Sequence, residues 1–373
     1  MKTAKLCFSA VLLSSLFSGV VTATPLEEAI KDVEIGGLAR YRFYGNSDAN
    51  QDKQLNRFTG AIDIVSKVTD NVKFGTTLMV DKFDNPQNSP SSSGNIEVRR
   101  FWFEHFHDDF NVKIGKLRLI TPWTNYAHAG THGNGMVAEY YGLEKLMLIG
   151  GYYNQVNGFV NINQFIPQSI YGQEDFFYVG AIANIDSFTA QLWGNRMTNI
   201  LDLMTYFDLS YKYENLRLRG QINYAKLADE QKNLFSSDNG IFYGFEAEYK
   251  NDKFFVNAGY TKTDDDMPIF TFAADANRFI QFGDNLQLIY KGVNLPDAQF
   301  MFIKGGTKID KLGLEAGYGH IDAGQSSDFD EYYAQVSYKI NRNLIFTTFY
   351  SVLKSEEKEQ DNNKLYVDLA YFF

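Results

Sequence analysis

The chain has 373 residues, 45 of them acidic and 35 basic, with 32 Phe, 24 Tyr and a single cysteine. Its net charge of −10 argues against nucleic acid or an anionic lipid surface as the main partner, and the lone Cys7 leaves everything after it without a disulfide, a thiolate metal site or a cysteine nucleophile. Past residue 23, no stretch stays apolar and uncharged for the ~18 residues that a membrane-spanning helix needs.

Lys2 and Lys5 precede an apolar run from Leu6 to Val21 that leads into the small residues Thr22 and Ala23, the layout of a secretory signal peptide over residues 1–23. An uncleaved anchor is the other reading, and four serines and a glycine in a short core speak against it. Removing the segment leaves residues 24–373 with a net charge of −12 and no linker or composition break, so they read as one domain. Thr24-Pro25-Leu26-Glu27 has the form of a capping box with Pro at the first helical position, which predicts a short periplasmic helix over residues 25–32.

From Val33 the period becomes two. Val33, Ile35, Ala39, Tyr41 and Phe43 share one face, and Glu34, Arg40 and Arg42 the other. Short polar turns then take turns with long polar connections. The turns fall at residues 69–71, 108–109, 144–145, 186–187, 214–215, 251–252, 310–311 and 341–342. The long connections fall at residues 45–55, 84–95, 119–135, 155–174, 196–200, 227–239, 264–298, 323–329 and 355–363. Nine hairpins predict an all-β, transmembrane antiparallel β-barrel of about eighteen strands, within a range of sixteen to twenty, with short periplasmic turns and long external loops. Residues 279–291 are apolar enough for one further hairpin, but Gly283-Asp284-Asn285 and Asn294-Leu295-Pro296 interrupt them and favour a loop.

Two later strands show how the faces divide. Leu216, Leu218, Ile222 and Tyr224 alternate with Arg217, Arg219, Gln221 and Asn223, and Ile241, Tyr243, Phe245, Ala247 and Tyr249 alternate with Glu246, Glu248 and Lys250. An inner face with this many ionisable groups predicts a lumen that holds water, because unpaired charge is costly to bury. In residues 364–373, Leu365, Val367, Leu369, Tyr371 and Phe373 alternate with Lys364, Tyr366, Asp368 and Ala370. A soluble sandwich strand alternates in the same way. The aromatic finish on Tyr371 and Phe373 instead suits a bilayer interface, and it resembles the assembly signal of bacterial outer-membrane barrels, with the barrel assembly machinery as partner and outer-membrane lipid and lipopolysaccharide as surroundings.

The five histidines, His105, His107, His128, His132 and His320, include a His-x3-His pair whose glycine-rich setting argues against a helical zinc site. No G-x-S-x-G motif and no evident serine, histidine and acid set is present. Arg40, Arg42, Arg57 and Arg100 can share the lumenal face of the early strands, with Lys116 and Arg118 close by. Either acids such as Asp63 and Asp368 neutralise them, or they form a basic wall that selects among solutes. Alternation puts Lys113 and Lys116 on opposite faces unless Gly115 marks a bulge. The connection after this wall, residues 119–135, carries Trp123, Asn125, Tyr126, His128 and His132 and is either a surface loop or one folded into the lumen.

Thr24 to Val33, followed by Leu38-Ala39-Arg40-Tyr41-Arg42, resembles the mature start of the major outer membrane protein porins typified by Campylobacter. Val98-Arg99, Gly115-Lys116 and Trp123-Thr124 are similar to the approach to that family's constriction loop, and weaker matches cover residues 270–290 and the last strand. The resemblance implies a homotrimeric barrel passing ions and small hydrophilic solutes, usually with cation preference and a calcium site at the constriction. This chain departs from that pattern: residues 119–138 contain no acid, and Asn125 stands where an acid is expected. Asp284 is a further calcium candidate.

Three functions stand at this point: a passive outer-membrane porin without catalysis, a barrel hydrolase or protease, and an adhesin or structural anchor. For the porin, the acid-free loop predicts weaker cation preference than the family habit, with anion preference open. Protonation of His128 and His132 below about pH 6.5 would push selectivity further toward anions.

Overall fold

The computed structural model describes residues 32–48, 52–84, 95–124, 130–157, 172–268, 282, 285–286, 295–324 and 327–373. The expected signal peptide, and all of the expected helix but Asp32, lie outside them.

Eighteen strands follow one another: β1 (Val33–Asp48), β2 (Asp52–Thr69), β3 (Val72–Asp84), β4 (Glu97–His107), β5 (Phe110–Arg118), β6 (His132–Leu143), β7 (Leu146–Asn157), β8 (Phe176–Ile185) and β9 (Phe188–Met197) make the first half. β10 (Leu201–Tyr213), β11 (Leu216–Leu227), β12 (Asn239–Lys250), β13 (Phe254–Thr263), β14 (Gln299–Ile309), β15 (Leu312–Asp322), β16 (Phe329–Lys339), β17 (Leu344–Ser355) and β18 (Asn362–Phe372) make the second. Each pairs antiparallel with its neighbours in sequence, and β1 also pairs with β18, from Leu38↔Phe372 to Asp48↔Asn362. The sheet is closed, so no strand presents an unpaired edge to lipid.

Alternation decides the faces. Tyr41, Phe58, Phe101, Phe103, Ile222, Phe245 and Tyr371 are exposed on the outer wall, while their neighbours in sequence point inward. The turns between hairpins are tight, and five of them place a non-glycine residue in the left-handed region: Asp108, Lys145, Asp186, Glu214 and Asp310, with φ between 36° and 65°. Two-residue hairpin turns need such a residue to match the twist of the strands.

Every short turn and long connection falls where alternation put it, but the strands overrun the apolar pattern at the outer rim. Residues 45–48 and 52–55 are strand, pairing as far as Ser47↔Asp52, and residues 132–135 open β6. Backbone bonds carry a ladder past the membrane, where side chains no longer need to be apolar. The segment weighed as a further hairpin, residues 279–291, lies outside the described residues apart from 282, 285 and 286, which are not in a strand.

Candidate functional site: the narrowed lumen

The inner wall from β1 to β5 is basic. Arg40 and Arg42 of β1 both reach Asp368 of β18: Arg40 Nε lies 3.3 Å from Oδ1, and Arg42 donates to Oδ2 through Nε at 2.7 Å and again through Nη2. Arg57 of β2 grips Asp81 of β3 with two bonds of 2.8 and 2.7 Å, and Arg100 of β4 donates to Asp63 at 2.7 Å. Thr59 and Thr77 complete the two aspartates.

Sequence reasoning placed these four arginines on one face and named Asp63 and Asp368 as their offsets. It missed Asp81, and it missed Arg99. The latter is the extra residue of a β-bulge, since Thr77 faces Arg100 while Leu78 faces Val98. A bulge breaks the period of two, and no pattern count reveals it. Arg99 donates to Gly130 O at 3.3 Å, tying the wall to the loop after β5. Arg99 also lies 3.4 Å from Glu97, so each of these five arginines has a carboxylate partner, with Arg40 and Arg42 sharing Asp368.

Lys113 and Lys116 stay on opposite faces of β5. Gly115 has φ +137°, yet the ladder runs through it in register with Trp102. Lys113 lies 3.3 Å from Glu104 and 5.9 Å from the Trp102 ring centre, over the lumenal side. Lys116 donates to Val98 O at 2.9 Å, so its ammonium is held by a backbone carbonyl and not by a wall carboxylate. Arg118 lies within electrostatic reach of Arg100 and Asp63.

The loop after β5 folds into the lumen. Trp123 is 0 % exposed, and its Nε1–H donates to Asn223 Oδ1 of β11 at 2.6 Å, with the ring edge-on to Tyr206 of β10 at 6.2 Å. Leu119 and Trp123 join Tyr153, Phe176, Trp193 and Met204 in one buried cluster on the inner wall. Thr124 Oγ1 donates to Leu119 O at 2.8 Å and accepts from Thr121 N at 2.9 Å, which fixes the loop's first turn.

Between β13 and β14, two described residues also turn inward. Phe282 and Leu286 pack with Phe300, Phe302, Ile321 and Tyr333 on the inner faces of β14 to β16. The lumen, expected to hold water, thus also carries apolar inner positions. Aromatic and aliphatic side chains line these inner positions and continue onto β17 and β18 through Phe349, Leu353 and Tyr366; the polar corridor is the stretch of wall along β18 and β1–β5 where the ion pairs lie.

His132 does not belong to the loop. It opens β6 opposite Arg118 and is buried, with its Nδ1 3.1 Å from Gly130 O. Asn125, His128 and Asp284 lie outside the described residues. A calcium ion takes roughly six to eight oxygen ligands. Among the described residues no three His, Cys, Asp or Glu side chains cluster to hold a metal, and the Thr121 and Thr124 hydroxyls are already engaged with each other and with backbone. The described residues alone therefore do not supply a calcium site.

A closed eighteen-stranded barrel, with apolar aromatics outside, charge inside and two loops narrowing its bore, is an outer-membrane channel of the porin class, passing small solutes. The family model described as Campylobacter major outer membrane protein matches residues 1–371, and the chain belongs to that family. Similar solved structures include Pseudomonas aeruginosa OccK2 (TM-score 0.75, 11% identity, 92% of this chain and 98% of that one). Pseudomonas aeruginosa OpdK with vanillate (0.72, 13%, 92% and 99%) and Acinetobacter baumannii OccAB1 (0.72, 12%, 92% and 97%) are alike as well. At these identities the likeness is one of fold. No curated protein matches the chain.

Proposed function

We propose that this porin is a passive, non-enzymatic diffusion channel whose corridor favours small anionic and zwitterionic solutes more than its overall charge of −12 after residue 23 suggests. The observation that carries this reading is the wall of Arg40, Arg42, Arg57, Arg99 and Arg100 set against Asp63, Asp81, Glu97 and the Asp368 that two of the arginines share. Charges on outer loops are screened beyond about 8 Å at physiological salt, so the narrow part decides selectivity. OpdK, alike in fold, was crystallised with vanillate; a carboxylate of that size is a suitable first solute here.

The hydrolase reading has less support. His320 pairs with Asp330 at 3.1 Å, but the third member of the cluster is the Tyr318 hydroxyl, 2.6 Å from Asp330, and not a serine. Assembly as a homotrimer is supported by an apolar recess on the outer wall, floored by Ala39 and Gly60 and rimmed by Tyr41, Phe58, Leu369 and Tyr371. A Cβ added at Gly60 meets open space, so the floor of the recess is uncovered within this chain.

Proteoliposome swelling tests the reading. Size-matched neutral, anionic and cationic solutes should enter at rates that favour the anion over the cation, and Arg40→Gln with Arg42→Gln should reverse that order. Cation entry that is faster from the outset and insensitive to the two substitutions would defeat it.

A further inference from the structure

We infer that the lumenal face of β11 is the common seat of both infolded loops, so that the aperture of the channel is set by Arg219 and Asn223 acting together. Alternation points Arg219, Gln221 and Asn223 the same way, and the outer two stand about 13 Å apart along the strand.

Asn223 holds the loop after β5. Its amide oxygen takes the Trp123 indole N–H at 2.6 Å, and both side chains are buried, so neither partner has water to turn to if the other is lost. Arg219 holds the loop after β13. The Phe282 ring lies over its guanidinium at 4.9 Å, and a Cβ at Gly244 would come within 2.8 Å of that ring, so the glycine on β12 makes the room it occupies.

Between these two contacts runs one polar cluster. Arg219 Nε donates to Asp208 Oδ2 at 2.6 Å and Nη2 donates to the Tyr206 hydroxyl at 3.2 Å. That hydroxyl lies 2.9 Å from Asp208 and 3.2 Å from Gln221, and the Tyr206 ring meets the edge of Trp123. A shift of Arg219 under Phe282 therefore moves the surface on which Trp123 rests. These are positioning residues: they act on solutes through the loops.

The inference needs a conducting channel but not the proposed selectivity, and its readout is the stability of the open level, not the reversal potential. Single channels of the full-length protein are recorded for Asn223→Leu, Trp123→Phe and the pair together, with heat-modifiable migration on gels as the check of folding. Each single change strands one buried polar partner and should raise the time spent in other conductance levels about tenfold or more, whereas the pair removes both partners and should return toward wild type. Arg219→Met should act likewise, Arg219→Lys should rescue in part, and Arg219→Met with Asn223→Leu should depart from additivity by more than about twofold. Should Asn223→Leu fail to insert, Trp123→Phe, which keeps an aromatic ring in place, answers alone. Steady wild-type channels in that variant, or additive effects at positions 219 and 223, would overturn the inference.

Discussion

Asp368 pairs with two guanidinium groups at once, offsetting one of their two charges, and is itself buried, so it sets both the charge and the firmness of the corridor where β18 meets β1. Asp368→Asn should shift the reversal potential toward anions and lower barrel stability by about 1.5–3 kcal/mol, the scale of a hydrogen bond to a charged group. Arg42→Gln should shift the potential the other way. Reversal potentials of the two variants, read side by side, check the sign, and denaturant unfolding in micelles checks the stability. On an external loop, Asp361 is held below the usual carboxylate range by its bond to Lys354 and by the Ser355 N–H. Because the folded value is the lower one, this support is present at neutral pH and is lost as the pH falls through it. Amide exchange at Ser355 should accelerate in acid relative to the neighbouring strand, and a flat ratio would refute the pairing. At this scale the sequence was informative wherever alternation held. It put Arg40, Arg42, Arg57 and Arg100 on one face with Asp63 and Asp368 as partners, but the bulge that turns Arg99 inward leaves no periodic trace.

The junction of β18 with β1 depends on a close approach. Gly37 exchanges backbone bonds with Phe373 at 2.8 and 3.2 Å, and a Cβ on Gly37 would meet both the Phe373 ring and Ala61 O. Tyr371 and Phe373 stack at 5.7 Å on the outer wall. Gly37→Val should therefore reduce the yield of folded, membrane-inserted barrel, as should deletion of Phe373 by removing that bond pair and the interfacial aromatic. Membrane fractions with wild-type amounts of both variants would contradict the role given to this seam. The two infolded loops were unequally legible. Trp123 among small, uncharged residues marked the first as able to enter the lumen. The second carried its signal in Phe282, Leu286 and Leu295, apolar residues in a segment too interrupted for a strand; they are apolar because they pack against the inner wall.

Across the whole molecule, hairpin number, face assignment and membrane setting followed from a period of two and the spacing of turns, because both are local properties. What fills the bore did not, since that depends on contacts between positions such as Trp123 and Asn223 that lie 100 residues apart. The outcome is a barrel whose corridor runs along one basic wall, with β11 nine strands from β2 and so on the far side of the bore. Excising the loop between β5 and β6 should raise conductance while leaving the barrel folded, which ion flux through reconstituted membranes would register. The most direct test of the account is the single-channel current in a planar bilayer under a salt gradient. It predicts ohmic, salt-dependent steps with a reversal potential that moves toward cation preference when Arg40 and Arg42 are replaced by Gln. A silent barrel, or strong cation selectivity identical with and without those arginines, would contradict it.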